Sequence, residues 1–359
     1  MKSTKVNVVE SGIDSGKPIR GPSAIEYDQI GTKSAQELLY ESASESNYKK
    51  AEEKWAKFVT KIKEEGLRRH QIEKLIKCLD EQKQWSALHY AVFNNNLFVT
   101  KILVGARYIH DDKPYKCDLN VLGGNGENVL HVAAQSNPLW SHQKEPTRTS
   151  QIYTSDAYRN IPDVVKILVD STRFDQKIDI NHQDDEGRTP LHLAVMANRL
   201  AFVEYLLERK SRVEIKTKLN ANVFHFMFIR CDPIQSSHDL QTMFNRLCAG
   251  MNDEKKPALF QSRTLDNRSP LVFAVGHPHC PESIIRQLAE YNDDNSQLIL
   301  AFDTVAKRRI RNFDVLKPLL KRFEREISYQ NELVQVVCRH DYIQILQWLL
   351  SNKYITCKF

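Results

Sequence analysis

Histidine follows leucine or phenylalanine at several places in this sequence, and histidine is the side chain best suited to acid–base chemistry near neutral pH. The fullest example is the stretch DEGRTPLHLAV, in which His192 follows Thr189 and Pro190. A catalytic histidine needs a nucleophile that it can activate or a carboxylate that orients it. No such partner recurs beside these histidines, so acid–base catalysis by them is not expected. The histidines of this kind are His89, His131, His192 and His225.

Three potential metal ligands lie within the four residues HPHC, at 277–280. A protein zinc site usually takes four ligands at fitting spacing, and no second cluster of cysteine and histidine accompanies this one. The sequence also lacks the phosphate-binding, hydrolase and metalloprotease motifs that would indicate a catalytic centre. The glycine-rich stretch GGNGEN, at 123–128, runs directly into a His-containing segment and is interpreted as a turn. We therefore expect a protein that is not an enzyme and that holds no metal or cofactor.

The residues around His192 predict a turn followed by a helix. Residues 185–187 favour a turn, because glycine accepts a positive φ without a Cβ clash. Thr189 is a suitable N-cap, and Pro190 suits the first helical position because its missing N–H has no partner there. A polar break at 198–199 precedes a second apolar run at helical spacing. The stretch therefore predicts one helix–turn–helix unit.

This unit recurs along the chain, and self-similarity of this kind is the sequence signature of a repeat architecture. The interval from Leu191 to Phe224 is 33 residues, whereas the interval from Leu130 to Leu191 is 61 and that from Phe224 to Leu271 is 47. The longer intervals indicate insertions. The copies are WSALHYAV at 85–92, ENVLHVAA at 127–134, RTPLHLAV at 188–195, the degraded NVFHFMF at 222–228, RSPLVFAV at 268–275 and a last helix pair at 332–350.

The run Thr189-Pro190-Leu191-His192 resembles the Thr-Pro-Leu-His signature of the ankyrin-repeat family, whose period is ~33 residues. The resemblance covers about residues 80–350, since the other copies match the signature in part. It implies an all-α ankyrin-repeat solenoid of helix–turn–helix units with short β-hairpin turns. It also implies that the threonine and histidine of the signature hydrogen-bond locally and tie a repeat to its neighbour's turn. On this interpretation all four histidines are structural.

The N-terminal part predicts two further regions. Residues 1–33 are rich in serine, glycine, proline and charge, which favours a disordered tail. Residues 34–84 have apolar residues at helical spacing and are interpreted as an N-terminal helical cap with a polar outer face. Residues 67–85 are equally interpreted as the second helix of a preceding, degenerate repeat. A partner-binding coiled coil is a further alternative, but the apolar pattern is not sustained through enough heptads.

The rest of the chain divides into repeats and a divergent end. In the first insertion Trp140, Tyr153 and Tyr158 either anchor a partner or fold back on the helices. The basic cluster at 307–311 resembles a nuclear-import signal, but it is also what a solvated turn would contain. The predicted boundaries are 85–291 for the ankyrin repeats, with insertions at 135–160 and 229–263, and 292–359 for divergent repeats and a C-terminal cap.

The predicted tail contains Asp14-Ser15-Gly16. Inhibitors of NF-κB are ankyrin arrays preceded by a similar motif, in which two serines are phosphorylated to recruit a ubiquitin ligase. Here Ile19 occupies the place of the second serine. An inhibitor of NF-κB-like protein therefore stays an alternative to a chance tripeptide, and phosphorylation of Ser15 is a hypothesis that belongs to it.

Composition narrows the cellular setting. The seven cysteines show no C-x-x-C spacing, and the start of the chain lacks the apolar core of a signal peptide. Reduced thiols in the cytoplasm or nucleus are therefore expected. No apolar run approaches the ~18 residues of a membrane span. The net charge of +6 is too small an excess to indicate nucleic-acid binding.

The resemblance implies a protein–protein interaction scaffold or regulator that binds a partner protein through its concave ankyrin face. The partner would be a signalling protein or a transcription factor. An adaptor or enzyme with a second function in the divergent C-terminal part, or a fragment of an ankyrin-bearing channel, are alternatives. The predicted contact residues lie at the tips of the turns: Asn125, Asp184, Asp185, Glu186, Arg188, Asp266, Asn267 and Arg268.

Overall fold

A computed structural model describes residues 33–106, 117–135, 163–170, 177–229, 236–292, 295–307, 335 and 343–351. Nearly all of the predicted tail, with Ser15, lies outside these residues. So do the aromatic residues of the 135–160 insertion, all of the basic cluster but Lys307, and most of the predicted C-terminal region.

Helices dominate the described residues, and no β-strand occurs among them. The predicted all-α fold is thereby confirmed. The helices are α1 (Ala35–Ala43), α2 (Tyr48–Glu64), α3 (Arg69–Lys77), α4 (Ala87–Phe93), α5 (Leu97–Lys101, continued by a π-helical turn at Ile102–Ala106), α6 (Val129–Gln135), α7 (Asp163–Asp170), α8 (Pro190–Met196), α9 (Leu200–Glu208), α10 (Val223–Phe226), α11 (Ser237–Ala249), α12 (Lys256–Phe260, preceded by a 3-10 turn at Asp253–Lys255), α13 (Pro270–Val275), α14 (Glu282–Tyr291), α15 (Asn295–Lys307) and α16 (Ile343–Ser351).

These helices stack in two rows, as a solenoid requires. The first helices of successive units contact one another in the order α1, α4, α6, α8, α10, α13 and α15. On the other side α2 contacts α5, α5 contacts α7, and α9 contacts α11. Because each unit buries its apolar face only against its neighbours, one continuous core runs the length of the stack.

Asparagine closes the short connection between the two helices of a unit. Asn95 and Asn198 have φ values of 51° and 53°, in the left-handed region that asparagine tolerates better than most residues. In the first unit the next residue, Asn96, caps α5 by accepting from the backbone N–H of Val99 at 3.0 Å. Its amide also donates to the carbonyl of Ser42 at 2.7 Å, which joins the end of α1 to this unit.

The N-terminal helices lie directly on the first repeat. The hydroxyl of Tyr40, on α1, donates to the carbonyl of Cys78 at 2.7 Å, and its ring meets that of Tyr90 edge to face. On the neighbouring row Tyr48 meets Phe98 in the same way. Helices α1 and α2 therefore stack on α4 and α5 as a further helix pair, while the boundary of a cap at 34–84 stays a prediction.

The predicted insertion at 229–263, whose bounds stay a prediction, contains two helices. Within it, α11 buries Leu240, Phe244 and Leu247 and packs against α9. It thus occupies the second-helix position of the unit that begins with α10. Only the segment with α12 is additional to the repeat pattern.

Candidate functional site

Five-residue turns with one hydrogen-bond pattern precede the first helices α6, α8, α10 and α13. In the turn at 184–188, the N–H of Asp184 donates to the carbonyl of Arg188 at 2.9 Å, and the N–H of Gly187 donates to the carbonyl of Asp184 at 2.8 Å. These are hairpin-type bonds, but the arms are too short to form strands. We call the four turns, at 123–127, 184–188, 217–221 and 264–268, the turn row.

The fourth residue of each turn has a positive φ, between 59° and 76°. Gly187 needs to be glycine for a second reason as well. A Cβ on it would lie 2.7 Å from the backbone nitrogen of Lys218 in the next turn. Asn220 and Asn267 hold the same position in the later turns, where asparagine accepts this backbone conformation.

Backbone hydrogen bonds also join each turn of the row to the next. The N–H of Asp185 donates to the carbonyl of Asn125 at 2.9 Å, and the N–H of Lys218 donates to the carbonyl of Glu186 at 2.9 Å. The N–H of Leu265 donates to the carbonyl of Leu219 at 3.0 Å. The turn row is therefore a fixed ladder, and the side chains at its second and third positions project from a rigid backbone.

Buried histidines fasten first helices to this ladder. His131 accepts from the backbone N–H of Asn128 at its Nδ1, 3.3 Å away, so the proton is on Nε2, which donates to the carbonyl of Arg188 at 2.8 Å. His89 and His225 repeat the arrangement, with Nε2 at 3.3 Å and 3.1 Å from the carbonyl of the fifth residue of the next turn. Each of these three histidines thus ties one unit to its neighbour.

His192, in the unit with the complete signature, lacks this second bond. Its Nδ1 lies 3.1 Å from the backbone nitrogen and 2.8 Å from the hydroxyl of Thr189. Its Nε2 is buried and has no hydrogen-bond partner within the described part of the chain. The ring instead meets the ring of Phe226 edge to face, with centroids 5.0 Å apart.

Burial determines the protonation of all four histidines. It lowers the pKa of His89, His131 and His225 to about 4 and that of His192 to about 3. They are therefore neutral near neutral pH, and they lie inside the protein rather than in a cleft. Their geometry suits a structural role, as the family resemblance implies.

A glutamine takes over where the histidine is missing. In the unit of α13, Val272 stands three residues after Ser269, where the other units have histidine. The N–H of Ser269 donates to Oε1 of Gln297 at 2.8 Å, and Nε2 of Gln297 donates to the carbonyl of Asn267 at 2.8 Å. Gln297 is fully buried and belongs to α15. Gln297 was not among the predicted residues, because it comes from the following helix and belongs to no recognisable motif.

Asp184, one of the predicted contact residues, is buried. Its buried carboxylate accepts from the backbone N–H of Glu186 at 3.0 Å and from both the backbone N–H and Nε of Arg188 at 2.7 Å. These bonds close the turn from inside, so the Asp184 carboxylate holds the turn backbone, and its contact with a partner stays a prediction.

The other predicted contact residues remain at the surface of the turn row. Asn125, Asp185 and Glu186 lie in adjoining turns and are exposed, and Glu186 pairs with the partly buried Arg188 at 2.9 Å. A second exposed group is separated from them by the turn at 217–221, and it consists of Asp266, Asn267 and Arg268. Their role in binding stays a prediction.

The turn between these two groups was missed. It presents Lys218 and Leu219, both exposed. A constant spacing identifies this turn. In the complete signature the positive-φ residue, Gly187, lies four residues before Leu191. Asn220 likewise lies four residues before Phe224, the residue aligned with Leu191. Applied to every copy, that spacing would have located this turn from the sequence.

Two other features give no candidate site. In HPHC, His277 and Cys280 are buried, and burial raises the pKa of the Cys280 thiol. Across the described ranges, no group of three or more histidine, cysteine, aspartate and glutamate side chains is arranged to hold a metal ion. In the same ranges no helix is both long and apolar enough to cross a membrane.

Comparison with known proteins agrees with this geometry. The family model described as ankyrin repeats (3 copies) matches residues 149–218, which contain α7, α8, α9 and the turn at 184–188. No curated protein matches the chain. The stacked helix pairs and the ladder of turns agree with this match, which shows that the chain contains ankyrin repeats at residues 149–218.

Proposed function

We propose that the protein is a non-catalytic scaffold or regulator that binds a partner protein through the turn row and the adjoining first helices. Ankyrin repeats are protein–protein interaction modules, which supports the general class. The observation that carries the proposal is that each turn has a fixed backbone and two side chains that are not needed to hold it. Backbone hydrogen bonds hold the first, fourth and fifth residues within the turn and tie the second and third residues to adjoining turns, whereas the side chains at the second and third positions take no part in these bonds. A rigid backbone with variable tips loses little conformational entropy on binding.

The charges along the turn row give it selectivity. Asp185 and Glu186 make one tip acidic, whereas Lys218 makes the next tip basic. A partner must match this change of sign, since placing like charges together is unfavourable and suppresses wrong partners. We expect the partner to be a signalling protein or a transcription factor in the cytoplasm or nucleus.

Cross-linking of the full chain in cell extract, followed by affinity capture and mass spectrometry, tests the proposal. The variant D185K/E186K reverses the acidic tip, and partners that depend on the turn row should be lost from it. The matched control is E52K/E53K, because Glu52 and Glu53 are also adjacent, exposed acids but lie on α2. A partner list unchanged in D185K/E186K, or changed equally in both variants, would contradict a specific role for these tips.

Sequestration of a transcription factor, as by an inhibitor of NF-κB-like protein, is the narrower hypothesis. It rests on Asp14-Ser15-Gly16, which lies outside the described residues. Capture of a transcription factor by the wild-type chain, with its nuclear entry reduced, would support it. An adaptor or enzyme with a second function after residue 292 stays an alternative, and a reaction product formed by the isolated full chain would favour it.

A further inference from the structure

The turn row exposes two leucines at neighbouring tips. Leu265 is 71% exposed and Leu219 is 63% exposed, more than any other large apolar side chain in the part of the chain that the structure describes. A single exposed leucine is ordinary. These two differ because the N–H of Leu265 donates directly to the carbonyl of Leu219, which places them side by side along the ladder.

The backbone beneath the leucines is held firmly. Asn220, directly after Leu219, donates from its amide to the carbonyl of Arg263 at 2.5 Å. Asn222 reaches further, donating to the carbonyl of Leu259 at 2.8 Å and to the hydroxyl of Ser262 at 2.7 Å. The leucines are thus presented by fixed turns rather than by a loop that could fold them inward. Such preorganisation favours an apolar contact with a partner.

Basic side chains border the leucine pair. Lys216, Lys218 and Arg268 are exposed, and they form no side-chain ion pair among the residues described. Other basic residues nearby differ in this respect, since Lys255 pairs with Glu214 at 3.0 Å. An apolar centre with unpaired positive charge around it complements an apolar side chain flanked by carboxylates.

The acidic side chains near the two leucines favour a protein partner over a phosphate-rich one. Asp185 and Glu186 occupy the tip on one side of the leucines, and Asp266 follows Leu265 directly. These carboxylates would repel a nucleic-acid backbone or an anionic lipid surface, both of which present continuous negative charge. A peptide segment has only a few carboxylates, which can lie beside the basic side chains without approaching Asp185, Glu186 and Asp266.

From this arrangement we infer that Leu219 and Leu265 form the apolar centre of a docking site for a short acidic segment of a partner protein. A large apolar side chain of that segment covers the two leucines, and its flanking carboxylates pair with Lys216, Lys218 and Arg268. The inference rests on the proposed function and deepens it, because it names the chemistry of the segment that binds.

Selection of displayed random short peptides on the immobilised full chain tests the inference. Enriched peptides should combine a leucine or aromatic residue with two or more carboxylates. A synthetic peptide of the enriched sequence should bind L219S/L265S at least about tenfold more weakly than wild type. It should also bind K216E/K218E more weakly, and added salt should weaken its binding to wild type.

The matched control is L79S/I229S, which removes two exposed apolar side chains outside the turn row, with exposures of 38% and 45%. Peptide binding should be unchanged in it. Because each of the four side chains is at least 38% exposed, both variants should stay folded, which thermal unfolding beside the wild type verifies.

Three results would overturn the inference. Absence of any enriched peptide is the first, and self-association of the wild type that L219S/L265S abolishes is the second, since a second copy would then cover the leucines. The third is peptide binding that survives in L219S/L265S. If that binding is lost in D185K/E186K, the proposed function stands and only the leucine site is wrong; if it survives in both variants, the turn row is not the binding surface.

Discussion

Two neighbouring units use the same histidine differently. We call residues 184–208 the complete-motif unit and residues 217–249 the degraded unit. In the first, His192 is bonded only to Thr189 of its own helix, and its Nε2 has no partner within the described residues. In the second, His225 donates to the carbonyl of Arg268 in the next turn at 3.1 Å. The unit that departs further from the family signature thus has the histidine bond to the next turn that the complete-motif unit lacks.

The N-cap residues of the two units also differ in whether they bond outside their own helix. Thr189 caps α8 locally, through its own helix. Asn222 caps α10 by accepting from the N–H of Phe224, and its amide also reaches Leu259 and Ser262 outside that helix. The signature therefore reports how well a helix begins, which is a local property. It does not report how tightly a unit is joined to the following one.

Lowering the pH should reduce the free energy of unfolding more than any substitution does, and it acts on the buried histidines of both units. In the unfolded chain histidine titrates near its ordinary pKa of about 6.5, whereas burial holds the folded pKa at about 4 or lower. The unfolded state therefore binds more protons below pH 6.5. Stability should be full above pH 6.5 and should fall toward pH 4 by about 1.4 kcal/mol per pH unit for each of the four histidines.

Urea unfolding at a series of pH values, followed by circular dichroism, measures this dependence. Between pH 6.5 and 5, where most carboxylates stay ionised, H192L and H225L should each reduce the slope by about one proton, and the double variant by about two. A slope that neither variant changes would show that these histidines are not neutral in the folded protein.

A substitution at the contact between the two units should cause the next largest loss of stability. A methyl group at Gly187 would meet the backbone of Lys218 at 2.7 Å and would also have to accept a φ of +76°. Because backbone cannot move aside as a side chain can, G187A should lower the free energy of unfolding by about 3 kcal/mol.

Gly66 provides the control for that variant. Its φ is +60°, but no atom lies within 4 Å of a Cβ built there. Only the backbone conformation opposes a side chain, so G66A should cost about 1 kcal/mol in urea unfolding. Equal losses in the two variants would contradict the importance of close packing between the units.

Much of this stack follows from local sequence, and the exceptions share one cause. Pro190 after Thr189 and the apolar spacing behind them predicted α8 and its partner helix, because capping and periodicity act within a few residues. The constant spacing would also have placed the tip at Leu219. The role of Gln297 was not predictable, since it depends on backbone brought near by folding. The location of α11 against α9 is of the same kind. Asp184 is different, because its bonds reach only two and four residues along the chain and belong to the turn itself.

Replacing the two histidines at pH 7.5, where both are neutral, compares their links directly. H225L removes the acceptor for the N–H of Asn222 and the donor to Arg268, so it should lower the free energy of unfolding by about 2 kcal/mol. H192L removes only the acceptor for Thr189 and should cost about 1 kcal/mol. An equal or larger loss for H192L would show that its Nε2 makes a bond that stabilises the fold.

Exchanging the two N-cap residues should change the free energy of unfolding least. It isolates the contribution of the amide bonds that Asn222 makes outside its own helix. Asparagine and threonine both cap helices, so T189N should change the free energy of unfolding by less than about 0.5 kcal/mol. N222T keeps the cap but loses the amide bonds to Leu259 and Ser262, which should cost about 1 kcal/mol. Urea unfolding at neutral pH resolves such a difference when the two variants are measured together. If both substitutions were equally neutral, the amide bonds of Asn222 would add nothing to the link, and only the bond of His225 to Arg268 would distinguish the degraded unit from the complete-motif unit.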